Sequence, residues 1–159
     1  MKDFFSAITG FVYAGSVLRM GKHNAYLVLN TGLPIEERIT STLTRVRTTP
    51  DGERVTMEHP KYTRIYKRMM YRGLPIVSTH DLKLQTENTI AMMLYMRGNV
   101  SRTTYHLHLP YTPVELEHVA THIHRITTIP FDRKHHNVLV SRKVEDIFRL
   151  IDSYKQTWM

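Results

Sequence analysis

The feature that most constrains the fold of this chain is an internal repeat. Residues 25–36 read AYLVLNTGLPIE, and residues 104–115 read TYHLHLPYTPVE. Aligned without a gap, four positions carry identical or similar residues: Tyr26 and Tyr105, Pro34 and Pro113, Ile35 and Val114, Glu36 and Glu115. An apolar run that ends at or near a glycine precedes each stretch, residues 4–14 before Gly15 and residues 90–96 before Gly98. The chain is therefore predicted to be a single domain, residues 1–159, made of two pseudo-repeats, about 1–75 and 86–159, joined by a connector.

Within each repeat the pattern predicts the order helix, hairpin, helix, hairpin, helix. The predicted elements of the first repeat are a helix over 3–14, strands over 16–20 and 24–30 that turn at GKHN, a helix from Pro34 to about Arg47, a turn at TTPDG, a strand over 53–58 and a helix over 60–72. Pro34 is expected to begin its helix because proline is tolerated in the first helical turn.

The second repeat shows the same order more clearly. TYHLHL, residues 104–109, alternates polar and apolar side chains as a half-buried strand does. Thr112 and Glu115 form a capping box that starts a helix, and HNVLVS is another strand. The apolar stripes expected to face the core are Leu116, Val119, Ile123 and Ile126 in this helix, and Val144, Ile147, Phe148, Ile151 and Tyr154 in the last one. The predicted fold class is α+β, a duplicated αββαββ(α) arrangement with two antiparallel sheets.

The charge of the chain narrows its partners. It has 22 lysines and arginines against 14 acids, a formal net charge of +8. A small basic domain favours an anionic partner, with nucleic acid first and an anionic membrane surface second. The chain has no cysteine, which excludes disulfides, thiolate zinc sites and cysteine nucleophiles, and it has neither a G-x-S-x-G sequence nor a P-loop. The interrupted N-terminal apolar run predicts a mature helix and not a secretion signal, so the expected setting is a cytosol, a nucleoid or an organelle matrix.

The order of these elements and three further stretches resemble the LAGLIDADG homing endonucleases. HPKYTRIYKRMMYRGLPI, residues 59–76, is similar to the link between the two halves of that family. STHDLKLQTENTIAMMLYMRGNV, residues 78–100, is similar to its second motif helix, and SRKVEDIFRLIDSY, residues 141–154, to its closing helix. The resemblance implies that the two motif helices, 3–14 and 88–97, cross at a pseudo-twofold axis, and that the two sheets form a saddle on DNA.

The resemblance also implies where catalytic metal ligands would stand. In that family the acid before each motif glycine binds a divalent metal, but here Ala14 precedes Gly15 and Arg97 precedes Gly98. No Asp or Glu lies between Asp3 and Glu36, or between Glu87 and Glu115. Since hard cations need oxygen ligands, we predict no metal, no cofactor and no catalytic residue. Arg97 either attracts a phosphate or is a change that followed the loss of catalysis.

The candidate nucleic-acid-binding residues fall into three sets, for each of which a solvated surface is the alternative. The first, on the polar face of a strand, comprises Arg102, Thr104, His106 and His108. The second, in basic loops, comprises Arg19, Lys22, His23, Arg133, Lys134, His135 and His136. The third, on the helix over 60–72, comprises Lys61, Arg64, Lys67, Arg68 and Arg72. Glu115, His118 and His122 share one helical face, which is predicted to be exposed and to hold no zinc.

Three functions remain open from the sequence. The first is an inactive homing-endonuclease scaffold that binds duplex DNA as a monomer and represses a gene or occludes a site. The second is a protein that binds structured RNA, either an intron maturase or a subunit of a ribonucleoprotein such as an organellar ribosome. The third is a residual nuclease with atypical ligands.

Overall fold

A computed structural model describes residues 9, 10, 12, 17–29, 45–72, 86–134 and 137–158. Within these ranges the chain forms eight strands and four helices. In chain order they are β1 (Val17–Met20), β2 (Ala25–Val28), β3 (Val46–Thr48), β4 (Arg54–Thr56), α1 (Pro60–Arg72), α2 (Glu87–Arg97), β5 (Gly98–Ser101), β6 (Thr104–Leu107), α3 (Pro113–Thr127), β7 (Asp132–Lys134), β8 (Val138–Ser141) and α4 (Val144–Trp158). Thr9, Gly10 and Val12 are helical as well.

The strands form two four-stranded antiparallel sheets with the same topology. The N-terminal sheet has the order β1-β2-β4-β3, and the C-terminal sheet has the order β5-β6-β8-β7. The second repeat is described from residue 86 to residue 158 except for residues 135 and 136, and it runs α2, β5, β6, α3, β7, β8, α4, which is the predicted αββαββα order. The predicted α+β class with two antiparallel sheets is therefore confirmed, whereas the boundaries of the two repeats stay a prediction.

The burial of the strands shows that the ungapped sequence alignment of the two repeats joins residues of opposite faces. In the first sheet Ala25, Leu27 and Leu29 are buried, and in the second the buried series is Tyr105, Leu107 and Leu109. Tyr105 thus lies on the same face as Ala25 and Leu27, whereas Tyr26, which is paired with Arg19, lies on the opposite face. A shift of one residue exchanges the two faces of a strand, so the alignment of Tyr26 with Tyr105 was wrong.

One predicted helix extends too far. Val46–Thr48 pairs with Arg54–Thr56 as β3 and is not the end of a helix that reaches Arg47. The turn between these strands explains the pairing, because Gly52 has a φ of +92° and its N–H donates to the carbonyl of Thr49 at 2.9 Å. The rest of the predicted helix, from Pro34 onward, lies outside the described residues.

The helices cover one face of each sheet, which is called here the helix-covered face. Tyr62 and Ile65 of α1 are buried in the same core cluster as Ala25 and Leu27 of β2. In α3 the predicted stripe is confirmed, with Leu116, Val119 and Ile123 fully buried and Ile126 packed at the edge of the core. Its predicted cap is confirmed too, since the Thr112 hydroxyl accepts a hydrogen bond from the Glu115 N–H at 3.3 Å.

The last helix differs from its prediction at one position. Ile147 and Ile151 are buried as expected, but Phe148 is 46% exposed. Its ring stands edge-on to the ring of Tyr105, with 6.1 Å between the centroids, at the outer border of the core. The stripe on this helix is therefore narrower than its apolar residues indicate.

Helix α2 is the most buried element of the described chain. All its residues from Asn88 to Leu94 are buried, and it packs directly against the N-terminal helical residues. A β-carbon at Gly10 would lie 2.7 Å from the Cβ and Cγ of Met92 and 3.1 Å from the carbonyl oxygen of Thr89. The predicted contact between the two motif helices is confirmed at Gly10, whose missing side chain allows their close approach.

The packing at the end of α2 explains why a glycine, Gly98, follows this helix. Gly98 has a φ of −107°, so its backbone does not require glycine. A β-carbon there would overlap the ring of Tyr105, whose hydroxyl donates to the carbonyl of Leu94 at 2.7 Å. At the other end of α2, the indole of Trp158 donates to Asn88 Oδ1 at 2.6 Å and ties α4 to it. None of the described helices is long and apolar enough to cross a membrane.

Candidate nucleic-acid interface

The open face of the C-terminal sheet, opposite its helix-covered face, carries a row of polar side chains. Residues that are directly opposed on antiparallel strands point to the same side, and Asn99 is paired with His106 and Ser101 with Thr104. His106 is in turn paired with Val140, which places Asp132 on this face as well. Tyr105 and Leu107, the alternate residues of β6, are buried under the helices. The predicted polar face of this strand is therefore present.

Hydrogen bonds hold the side chains of this face in place. The Thr104 hydroxyl donates to the carbonyl of Ser101 at 3.0 Å, and its oxygen lies 2.9 Å from His106 Nε2. His108 Nε2 lies 3.1 Å from Asn99 Oδ1, and the two imidazole centroids are 6.3 Å apart. The row is therefore an ordered array rather than a set of independent surface side chains.

Arg102 differs from its prediction. It occupies the two-residue turn between β5 and β6 instead of the strand face, and its φ of 58° lies in the left-handed region. A non-glycine residue in this region carries backbone strain of about 1 kcal/mol or more. Its exposed side chain stands at the tip of the hairpin that supports the row.

The residues predicted as a basic loop are partly a strand. Arg133 and Lys134 belong to β7, whereas His135 and His136 lie outside the described residues. Arg133 is paired with Leu139 of the helix-covered face and contacts Glu117 of α3, with 3.4 Å between Nε and Oε1. Lys134, the next residue, points to the open face. Only one of these two cations thus stands on the same side as His106.

A groove of about 450 Å³ at the border of this open face brings in two cations that the sequence analysis missed. Thr104, Lys134, Arg142 and Lys143 are among its lining residues, together with Asp132. Arg142 and Lys143 directly precede α4, where their positive charges are repelled by the positive end of the helix dipole. That unfavourable placement is the signal in the sequence that could have singled them out.

The open face of the N-terminal sheet has different chemistry. Arg19 is paired with Tyr26, and Arg47 is on the same side because it is paired with Val55, itself opposite Val28. The Arg19 guanidinium donates to Glu53 at 2.7 Å, and this carboxylate raises the pKa of Arg19. Arg47 was missed by the sequence analysis because the predicted helix included it.

Lys22 and His23 are exposed in the turn between β1 and β2, as predicted. The carboxylate of Glu58 accepts hydrogen bonds from the N–H groups of His23 and Asn24, both at 2.9 Å. These bonds lower the pKa of Glu58. The two basic side chains therefore stand on a turn with a defined shape, at the position that Arg102 holds in the other sheet.

The basic side chains of α1 are on the other side of the molecule from these open faces. Because α1 packs on the helix-covered face through Tyr62 and Ile65, its exposed residues Arg64 and Lys67 point away from the N-terminal sheet. Lys61 is half-buried, and only the backbone of Arg68 is described. The structure thus separates this cluster from the strand-face residues.

Two positions correspond to metal ligands in the resembled family, and the structure describes one of them. Arg97 is half-buried at the end of α2, and its carbonyl accepts from the His108 N–H at 3.0 Å, while Ala14 lies outside the described residues. In the part of the chain that the structure describes, no group of three His, Asp or Glu side chains could hold a metal ion.

The helical face with Glu115, His118 and His122 is not uniformly exposed as predicted. His122 is buried, with 3% of its surface exposed, and its Nδ1 lies 2.6 Å from the Arg125 guanidinium. Burial and that charge lower the pKa of His122 to about 4. His122 is therefore a neutral core residue, whereas His118 is exposed and Glu115 is half-buried.

These elements define the LAGLIDADG fold, in which an αββαββ unit occurs twice. Among solved structures, the homing endonuclease I-WcaI bound to its DNA recognition sequence has a TM-score of 0.72 and 16% identity over 97% of this chain and 82% of its own. The N-terminal LAGLIDADG domain of DUF199/WhiA has a TM-score of 0.54 and 12% identity, over 96% of this chain and 82% of its own. A variant of I-DmoI in complex with its target DNA and magnesium has a TM-score of 0.51 and 10% identity, over 96% of both chains. No family model and no curated protein sequence matches the chain.

Proposed function

We propose that this chain binds duplex DNA in a sequence-dependent manner through the open faces of its two sheets, and that it does not cleave it. The observation that carries the proposal is the ordered polar row Asn99, Thr104, His106 and His108 on a sheet face that no described helix covers. Two solved proteins of this fold have been captured on DNA. A two-stranded ribbon fits the major groove, which is about 12 Å wide, and its side chains reach base edges there.

The cations around this face support contacts to the DNA backbone. Lys134, Arg142 and Lys143 line one groove at its border, and Arg102 stands at the hairpin tip. Phosphate contacts of this kind fix register and carry most of the salt dependence, whereas base contacts supply the discrimination. The expected ligand is therefore a duplex that crosses the polar row and is held by cations on its flanks.

The end of α2 supports the absence of cleavage. Arg97 is the last residue of α2, and the sequence has no carboxylate between Glu87 and Glu115. Magnesium prefers carboxylate and water oxygens, so the groups at this helix end do not suit it. A protein that binds DNA and leaves it intact would act by occupying a site, as a repressor does.

The test is selection from a randomised duplex library, followed by binding titrations at several salt concentrations. We expect an enriched sequence, and a His106→Ala variant that loses about 1–3 kcal/mol on that sequence and less on random duplex. His118→Ala, on the exposed part of α3, is the matched control and should bind as the parent does. Failure to enrich any duplex would refute the proposal, and nicking of the selected duplex with magnesium or manganese would refute its second part.

Structured RNA is the second candidate, favoured by one observation. The exposed cations Arg64 and Lys67 of α1 lie on the side opposite the open faces, where a duplex on the strands would not reach them. If RNA is the ligand, Arg64→Ala and Lys67→Ala should weaken its binding while His106→Ala does not. The same variants applied to the selected duplex separate the two candidates.

A further inference from the structure

The hydrogen bonds of the open face fix which nitrogen of His106 carries its proton. The hydroxyl of Thr104 has a single hydrogen, and it is used in the bond to the Ser101 carbonyl at 3.0 Å, because a carbonyl can only accept. The Thr104 oxygen must therefore accept in its 2.9 Å contact with His106, so that Nε2 carries the hydrogen. In the neutral imidazole, Nδ1 is then left with a lone pair.

His108 is held in the same tautomer by a different partner. Its Nε2 contacts Asn99 Oδ1 at 3.1 Å, and an amide oxygen accepts but does not donate. His108 Nε2 is thus the donor, and its Nδ1 is an acceptor. Among the described residues neither Nδ1 atom has a hydrogen-bond partner within the protein.

We propose that His106 and His108 are specificity-determining acceptors that select adenine or cytosine, the bases whose exocyclic amino group projects into the major groove, at two contacted positions two base steps apart. This inference rests on the proposed function and states its chemistry at these positions. The only major-groove donors are the amino groups of adenine and cytosine, whereas guanine and thymine offer acceptors that would face the lone pair of Nδ1. The imidazole centroids are 6.3 Å apart, close to two base steps of about 3.4 Å each.

The proposal gives Thr104 a positioning role that a merely structural residue would not have. In a Thr104→Val variant the isosteric side chain cannot accept from Nε2, so His106 can adopt either tautomer. We expect ¹⁵N chemical shifts at pH 8 to show the Nε2–H form alone in the parent and a mixture of tautomers for His106 in the variant. Thr104→Ser should restore the single tautomer, and the signals of His118, on the exposed part of α3, should not change. This measurement uses no DNA and tests the tautomer independently of the proposed function.

The second measurement uses the selected duplex at pH 8. Each preferred adenine is replaced by purine, and each preferred cytosine by 2-pyrimidinone, because these analogues lack only the amino group. We expect the affinity to fall about 3- to 10-fold at two positions two steps apart, which is the loss of one hydrogen bond at each. In His106→Phe protein, which keeps a ring without the acceptor, one of the two effects should disappear, while His118→Phe should retain both.

The outcomes separate the two proposals. Enrichment of a duplex whose contacts at these positions are guanine or thymine, or no effect of the analogues, would overturn the assignment of acceptors and leave DNA binding standing. A parent protein with the Nδ1–H form at both histidines would overturn it as well. If no duplex is enriched at all, the proposed function itself fails, whichever tautomer the ¹⁵N shifts report.

Discussion

Replacing Gly10 with alanine should destabilise the protein, although alanine is the better helix former. At an ordinary helical site, glycine to alanine stabilises by about 0.8–1 kcal/mol. At Gly10 the added carbon would lie 2.7 Å from the Cβ and Cγ of Met92, which is about 1 Å closer than two carbons normally approach. Met92 is completely buried, and its Cβ cannot move without displacing α2.

The magnitude follows from these opposing effects. Forcing an extra methyl into a packed contact costs about 1–3 kcal/mol, and here the cost adds to a short contact of 3.1 Å with the Thr89 carbonyl. Because the two contacts add, the upper part of this range applies, about 2–3 kcal/mol, and subtraction of the gain in helix propensity leaves an expected net loss for Gly10→Ala of about 1–2 kcal/mol in the free energy of unfolding. In a Met92→Ala background the loss should be smaller, because the contact with Cγ is gone while that with Cβ remains.

The assay is urea unfolding followed by circular dichroism, without nucleic acid, because a ligand that binds the folded state would raise its apparent stability. Asp152, which is exposed in the middle of α4, provides the matched control. Asp152→Ala should be more stable than Asp152→Gly by about 0.8–1 kcal/mol, the ordinary propensity difference. If Gly10→Ala stabilises the protein by a similar amount, the close contact between the two helices is wrong.

Three other predictions concern single residues of the described chain. The pKa of His122 is lowered to about 4, so the unfolded chain binds a proton at a higher pH than the folded one, and the free energy of unfolding should fall by up to roughly 3 kcal/mol as the pH is lowered from 7 to 4. In urea unfolding at several pH values, His122→Leu should lack this part of the loss. Gly98→Ala should lower the free energy of unfolding by about 1–3 kcal/mol, because the added β-carbon would overlap the ring of Tyr105. Thermal unfolding should show a lowered Tm, and an unchanged Tm would contradict the close contact between Gly98 and Tyr105. Arg102→Gly should relieve the strain of the left-handed backbone, so the Tm should stay the same or rise, while titration with the selected duplex should show weaker binding and a smaller salt dependence. A variant that binds as the parent does would exclude Arg102 from the interface.

The elements that the sequence predicted correctly have local signals. The capping box at Thr112 and the alternation of TYHLHL depend on neighbouring residues only, and both are confirmed in α3 and β6. Val46–Thr48 was missed because a strand of three residues is too short to show a period, although its partner Arg54–Thr56 lies within the strand predicted over 53–58. Arg47 was lost from the candidate site for the same reason.

The residue types of the candidate site could be predicted from the sequence, but the face of the sheet on which each side chain lies could not. Periodicity placed Thr104, His106 and His108 together, but the bond of His108 to Asn99 depends on a strand register that only the fold supplies. Arg133 illustrates the failure, because in an edge strand neighbouring basic residues point to opposite faces, and no apolar alternation marks which is which. It was therefore grouped with Lys134, although its guanidinium contacts Glu117 on the helix-covered side.

The two open faces carry different side chains, which has a consequence for recognition. On the open face of the N-terminal sheet Tyr26 is paired with Arg19, and on the open face of the C-terminal sheet His106 is paired with Asn99. The N-terminal face thus offers an aromatic ring and a guanidinium already bonded to Glu53, and the C-terminal face offers imidazole acceptors. Arginine donors suit guanine, whereas the acceptors proposed for His106 and His108 suit adenine or cytosine. Although the fold is duplicated, its two faces are chemically different, so we expect the two halves of a selected duplex to differ in sequence and not to form a palindrome.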